Sequence, residues 1–177
     1  MIKNFIKKFF LGRYSISELH CIESWLMPKL ISDEKAVLKF YKKSTGKNLD
    51  LSNPQTFSEK LNWYKLNNRL PLMQQCADKF AMRDYVQEKG YGHCLNEIYA
   101  VYNSVKDIDI NALPPKFVLK ATHGSHMNII VTDKAKENWF QHKMMMSTWL
   151  RQNIAWSGRE WVYKDMPRRI IAEKYLE

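Results

Sequence analysis

Long apolar runs, paired cysteines and glycine-rich phosphate signatures are all missing from this chain of 177 residues. Each absence closes off a class of protein. No stretch approaches the ~18 to 20 uninterrupted apolar residues of a membrane-spanning helix. The first residues have neither the apolar centre nor the small-residue cleavage site of a secretory leader, so none is expected. The cysteines, Cys21, Cys76 and Cys94, are three in number and far apart, which suits a reducing cytosol better than a disulfide framework. None has a His or Cys neighbour at zinc-ligand spacing, so no metal centre is built on them. There is no GxxxxGK[ST] phosphate loop, no internal repeat and no low-complexity linker. The triplet "DID" at 107–109 has no supporting context as a nucleotide-sugar metal motif.

What is present is ordinary globular material. With 45% hydrophobic and 26% charged residues, the chain can bury a core, and its length suits one domain or one plus an extension. Lys and Arg number 28 against 18 Asp and Glu, a net charge of +10. Such an excess implies anionic partners (nucleotides, nucleic acid, anionic lipid or sugar phosphates) or a merely solvated basic surface. Nucleic acid ranks last, because the charge is dispersed and the aromatics fall on apolar helix faces rather than on a stacking platform. Acids are absent from "MIKNFIKKFFLGRY" (1–14). There Ile2, Phe5, Ile6, Phe9 and Phe10 form a helical stripe opposite Lys3, Asn4, Lys7 and Lys8. That pattern fits either a helix on an anionic membrane surface or one docked on the protein's own core. The expected location is cytoplasmic, and membrane-peripheral if the helix lies on lipid.

Helical periodicity continues over 15–46, where Ser32 ahead of Asp33 and Glu34 caps a second helix. His20 and Cys21 fall within this stretch. After "NPQTF" a third helix is expected, capped by Thr56 or Ser58, with Leu61, Trp63, Tyr64 and Leu66 facing inward. "LMQQCADKFAMRDYVQEKG" (72–90) reads as one more amphipathic helix closed by Gly90. On it Lys79 and Arg83 share a face, which points to solvent or to a shared anionic ligand. "EIYAVYNS" (97–104) alternates as a strand, and Pro114 and Pro115 break regular structure. "FVLKATHGSHMNIIV" (117–131) reads as two strands around a small polar turn. A helix over 134–153, with Trp139, Phe140, Met144 and Trp149 in the core, precedes a last strand within 168–177. The order implies an α/β (α+β) chain.

Two of these segments carry chemistry. In the first hairpin strand Phe117 and Leu119 lie on one face, Val118 and Lys120 on the other. A lysine at the end of a buried strand can hold its ammonium at the mouth of a cleft while its stem stays packed. Thr122, His123, Gly124 and Ser125 follow. Gly124 permits φ > 0, and successive N–H groups of such a turn can bind an anion. Taken alone, the segment reads better as a plain hairpin with Gly124 and Ser125 at its turn. "RIIAEKYLE" runs an apolar strand into Glu173, Lys174, Tyr175 and Leu176, an edge that could read an adenine or simply end at the surface.

Taken in order, "ADKFAMR", "KFVLKATHGSHMNIIV" and "RIIAEKYLE" resemble the ATP-binding half of the ATP-grasp superfamily. More narrowly, "NPQTFSEKLNWYKLNNRLPL", "LPPKFVLKATHGSHMNIIV" and "REWVYKDMPRRIIAEKYLE" resemble its TupA-like (teichuronopeptide biosynthesis) members. The likeness spans about residues 50 to 177. It implies a helical N-terminal extension, 1–50, and the first, incomplete half of an ATP-grasp fold, 51–177, ending at the adenine hinge. It implies a parent activity of ATP-dependent carboxylate–amine ligation, serving a bacterial surface polymer such as capsule, O-antigen or teichuronopeptide. ATP is the implied cofactor. Mg²⁺ is expected for the intact parent, with its ligands beyond the hinge, so a truncated chain inactive by itself is expected. Carried over by position, Lys79 and Lys120 contact phosphates. Gly124, Ser125, His126, Met127 and Asn128 form the flexible loop over them. Glu173 accepts from the adenine amine, and Lys174 and Leu176 offer backbone groups to the ring. His126 departs from an expected Gly-Ser-Gly, so it stiffens the lid or adds a phosphate donor. The alternatives are a glycosyltransferase, or a non-catalytic membrane-peripheral part of a polysaccharide assembly complex.

Overall fold

The computed structural model describes residues 31–177 together with Ile22, Leu26 and Leu30. The expected helix over 1–14, with Lys3, Lys7 and Lys8, and the positions His20 and Cys21 lie outside the described residues. Within them, short helices precede and flank a four-stranded antiparallel sheet, the α+β arrangement expected.

Helix α1 (Asp33–Thr45) starts where the Ser32 hydroxyl accepts the Lys35 N–H at 3.3 Å, with Asp33 and Glu34 in the positive first turn. It ends at Gly46, whose φ of +74° is cheap only for glycine. Helix α2 (Phe57–Asn67) carries a complete capping box. Thr56 accepts from the Glu59 N–H, and the Glu59 carboxylate accepts the Thr56 N–H at 2.8 Å. Of the four residues expected to face inward, only Leu66 joins a core, packing on Val37, Tyr41 and Leu49. Leu61, Trp63 and Tyr64 are exposed. The helix is held along one narrow line instead: Tyr41 donates to Glu59 at 3.3 Å, and the Lys65 ammonium to the Gly158 carbonyl at 3.0 Å.

Residues 72–90 make two helices rather than one. Helix α3 (Pro71–Ala77) stops at Asp78, and α4 (Met82–Glu88) starts after a turn. Asp78 is the cause. Its Oδ1 accepts the N–H groups of Phe80 and Ala81 at 2.8 and 3.3 Å, and its Oδ2 accepts from Arg169 at 2.7 Å. Side-chain bonds to nearby backbone compete with helix continuation, and the half-buried Arg169 fixes this competitor in place. Lys79 therefore sits in the turn, its N–H donating to the Thr122 carbonyl at 3.1 Å. It no longer shares a helical face with Arg83.

The sheet comprises β1 (Ile98–Tyr102), β2 (Phe117–Ala121), β3 (Asn128–Val131) and β4 (Ile170–Lys174), in the order β1-β4-β2-β3. The β2–β3 hairpin pairs Phe117 with Val131 and Lys120 with Asn128. The last strand then inserts between β1 and β2, setting Leu119 against Ala172 and Lys120 against Ile171. Phe117, Leu119, Ala121, Ile129, Val131, Ile170 and Ala172 form the buried face. It packs on helix α5 (Trp139–Arg151) through Met146 and Trp149, with Phe117 stacked on Trp139 at 6.0 Å between centroids. This helix begins later than the pattern implied. Asn138 caps it by accepting the Gln141 N–H at 3.1 Å, and residues 134–136 form a separate turn capped by Asp133. Phe140, expected in the core, is exposed. The connection ahead of β2 is pinned by Lys134, whose ammonium donates to the carbonyls of Ile110, Asn111 and Leu113 at 3.1, 3.4 and 2.5 Å. Backbone oxygens that no strand satisfies thereby gain a donor.

Truncating Phe117 to Ala is expected to cost about 3–5 kcal/mol in chemical denaturation, the range for a large aromatic in a tight core. Phe57→Ala removes a side chain that is 80% exposed and should change stability by no more than about 0.5 kcal/mol. Comparable losses would show that the α2 surface is covered in solution.

Candidate functional site

Strand alternation sends Val118, Lys120, Ile171 and Glu173 to the face away from α5, together with Asn128 and Ile130. Val118 and Ile171 form a buried apolar floor, while Ile130 on β3 and Tyr99 and Val101 on β1 are exposed at its margins. In the middle of it the Lys120 ammonium meets the Glu173 carboxylate at 2.6 Å. The Glu173 side chain is only 10% exposed, so removing the lysine would leave a nearly buried anion without its partner.

A second ammonium arrives from the turn after α3. Lys79 Nζ donates to the Ala121 carbonyl at 3.2 Å and to that of Gly124. Burial lowers the pKa of Lys79 below the usual lysine value, and the Lys120 ammonium lowers it further, against the opposing pull of Asp78 and Glu173. Two lysines from separate elements thus stand close enough to repel, a strain that an anion between them relieves.

The turn over these lysines is anchored at its base. Thr122 makes three bonds to two segments: its N–H donates to the Arg169 carbonyl at 2.9 Å, its hydroxyl donates to the Pro167 carbonyl at 3.3 Å, and its carbonyl accepts from Lys79. His123 Nε2 lies 2.8 Å from the Trp149 carbonyl, an acceptor, so this nitrogen carries the proton. Its Nδ1 is buried without a hydrogen-bond partner among the described residues. Burial, the largest of several influences, lowers the His123 pKa below the ordinary histidine value. Gly124, expected to supply the positive φ, does not. A Cβ there would lie 2.9 Å from the Met127 sulfur, so any larger residue would require the end of that side chain to shift. The left-handed residue is His126, at φ +60°, a conformation a glycine adopts at little cost and a histidine does not. Met127 is seated in the main core, and Ala121 donates to its carbonyl at 2.9 Å. Among the expected loop residues, Ser125 and His126 form the exposed tip. Gly124 and Met127 are fixed, and Asn128 opens β3 opposite Lys120.

At the far end of β4 the Lys174 N–H donates to the Glu97 carbonyl at 2.9 Å, and the Lys174 carbonyl accepts from Asn96 Nδ2 at 2.8 Å. Arg83 in turn donates to the Asn96 carbonyl at 2.7 Å. The Lys174 backbone groups expected to face a base are thus engaged toward β1, and Leu176, which is exposed, lies beyond them. Sequence pattern missed the Asp78–Arg169 pair, Thr122 as a hub and the link through Asn96. An aspartate inside a helical period was the single available signal.

Among the described residues no group of three or more His, Cys, Asp or Glu could hold a metal ion, and no helix is long and apolar enough to cross a membrane. A family model described as TupA-like ATPgrasp matches residues 59–177. Comparison with curated proteins and with solved structures gives no significant match.

His123 generates an acid-limb prediction. Its pKa in the folded chain lies below the ordinary 6.5, so the unfolded chain binds the proton more readily. The related stability is intact above pH 6.5 and declines as pH falls below it toward the folded value. Chemical denaturation at pH 7 and pH 5 should show His123→Gln losing less stability on acidification than the wild type. Equal losses would remove His123 from the acid-sensitive groups.

Proposed function

The chain belongs to the TupA-like ATP-grasp family, and from that membership we propose that the sheet face bearing Lys120 and Glu173 is an ATP site. The observation that carries the reading is the Lys120–Glu173 pair at 2.6 Å on an apolar floor, with Lys79 close enough to repel Lys120. The donor set suits a nucleotide. Glu173 accepts from the adenine amine against Val118 and Ile171, and the two ammoniums take phosphate oxygens. Residues Gly124, Ser125, His126, Met127 and Asn128 form the arm over the phosphates, with movement confined to the Ser125–His126 tip. Leu176 offers its backbone to the ring, and Lys174 contributes the second lone pair of a carbonyl already oriented by Asn96.

Both lysines are bonded to internal acceptors, Lys120 to Glu173 and Lys79 to the carbonyls of Ala121 and Gly124. Binding exchanges these for phosphate oxygens, so neither ammonium is stripped of water anew. ATP with Mg²⁺ supplies the activated phosphoryl group that makes a carboxylate an acyl phosphate, open to attack by an amine. The described residues do not assemble a ligand set for the metal, and none is assigned to it. We assign the parent activity to carboxylate–amine ligation in bacterial surface polysaccharide biosynthesis. The family resemblance supports this, and it supports 51–177 as the ATP-grasp portion following a helical extension.

Calorimetric titration with ATP tests the site. Lys120→Ala and Lys79→Ala are each expected to weaken binding about tenfold or more, the scale of a lost charge-assisted hydrogen bond. Thermal denaturation of the same variants separates a lost contact from a lost fold. Unchanged affinity in both would defeat the assignment. An anion beside Lys79 favours its charged form and raises its lowered pKa. Binding should therefore take up protons at alkaline pH, with affinity falling as pH rises through the pKa of the free site.

A further inference from the structure

Three bonds run from Lys79 to one short segment of chain. Its N–H donates to the Thr122 carbonyl at 3.1 Å, and its ammonium donates to the Ala121 carbonyl at 3.2 Å and to that of Gly124. The remaining residue of the segment, His123, is 2% exposed and is tied elsewhere. Its Nε2 donates to the Trp149 carbonyl, 2.8 Å away in the last turn of α5. Residues 121–124 are therefore gripped twice, by Lys79 from the turn after α3 and by the end of α5 through His123.

The second grip reaches a firm support. The last carbonyls of a helix have no partner within it and carry its negative end. In α5 those of Leu150 and Arg151 accept from Arg168 Nη1 at 3.3 and 3.1 Å, while that of Trp149 accepts from the Gln152 N–H at 3.1 Å and from His123. Trp149 is itself seated in the main core. Packing alone does not ask for a histidine at 123. Its Nδ1 is buried without a hydrogen-bond partner among the described residues, a cost that a leucine of similar bulk avoids. What a leucine lacks is the donor to Trp149.

We propose that His123 is a positioning residue for Lys79. By tying the middle of the segment to α5, it holds the carbonyls of Ala121 and Gly124 at one separation and so fixes where the ammonium between them stands. One acceptor would leave a lysine many rotamers, whereas two at a set spacing leave few. The charged and titratable groups around Lys79 are Asp78 on its own turn, Lys120 on β2 and Glu173 on β4; those around His123 are Arg168, Lys79 and Asp78. Asp78 is committed to Arg169 at 2.7 Å and Glu173 to Lys120 at 2.6 Å. Backbone carbonyls therefore hold the Lys79 ammonium, and His123 holds the carbonyls. The benefit to binding rests on the reading of Lys79 as a phosphate ligand: an ammonium placed in advance gives up its freedom on folding and not on binding.

The test reads the Lys79 amine without nucleotide. In the full chain labelled with ¹³C-lysine, the Cε resonance lost in Lys79→Arg reports its titration, which in the wild type lies below the ordinary lysine value. His123→Leu frees the segment and admits water to the ammonium. Burial is the largest influence on Lys79, so its titration should move up toward the ordinary value. ATP should bind this variant about tenfold more weakly, the scale of a lost charge-assisted bond. His123→Gln sets an amide donor near the place of Nε2 and should hold both readouts close to wild type. Val37→Ala, in the separate cluster of α1, lowers stability away from the turn and should move neither. If the leucine variant does not fold, His123→Asn, an amide too short to reach from the same backbone, takes its place. An unmoved Lys79 titration in the variant lacking the donor, or an equal shift in His123→Gln, overturns the proposal. So does full ATP affinity in His123→Leu where Lys79→Ala binds weakly. A wild type that binds no ATP defeats the nucleotide reading alone, and the amine titration then decides His123.

Discussion

The antiparallel pairing of β2 with β4 is the constraint on which the molecule turns. It joins the second strand to the last, so that Lys120 meets Glu173 from 53 positions away. Closing so long a loop costs chain entropy before any contact repays it. The return comes from the apolar side, where Phe117, Leu119, Ile170 and Ala172 are removed from water together against α5. Because side-chain direction in a strand has a period of two, the register that buries those residues also aims Lys120 and Glu173 at the opposite face. Core and candidate site are two readings of one register.

That coupling explains how charge is tolerated. Asp78, nearly fully buried, is matched by Arg169 and by two backbone N–H groups. Glu173 is matched by Lys120. Losing one member of such a pair is costly, while the pair itself adds little to stability. Their value lies in position: Asp78–Arg169 fixes the turn that delivers Lys79, and Lys120–Glu173 holds an ammonium and a carboxylate ready within one apolar patch.

Much of this was legible from residue order, for identifiable reasons. Alternation in "FVLKA" separated Phe117 and Leu119 from Val118 and Lys120, and the β-register bears this out. Ser32 and Thr56 cap as their side chains dictate, because capping is decided within four residues. The α+β class followed from the order of periodicities. What stayed hidden depends on partners far along the chain. Asp78 breaks a helix with the help of Arg169, 91 positions on, and no local pattern announces that. Leu61, Trp63 and Tyr64 satisfy a helical period yet face outward, since periodicity shows which residues share a face but not what covers it. His126 takes the left-handed place in the turn while Gly124 sits close against the Met127 side chain, so the positive φ and the close approach fall on different residues.

Met127 carries a further consequence. The turn that roofs the two lysines is fastened at one end by Thr122 and at the other by a methionine embedded in the main core. It cannot swing as a free flap. Any opening wider than the Ser125–His126 tip must withdraw a core side chain, which makes it a local unfolding event rather than a hinge rotation. Passage of anything beneath the turn is then governed by the cohesion of residues that never touch it. Loosening the packing around Met146 and Trp149 would therefore loosen the turn without altering one of its own hydrogen bonds.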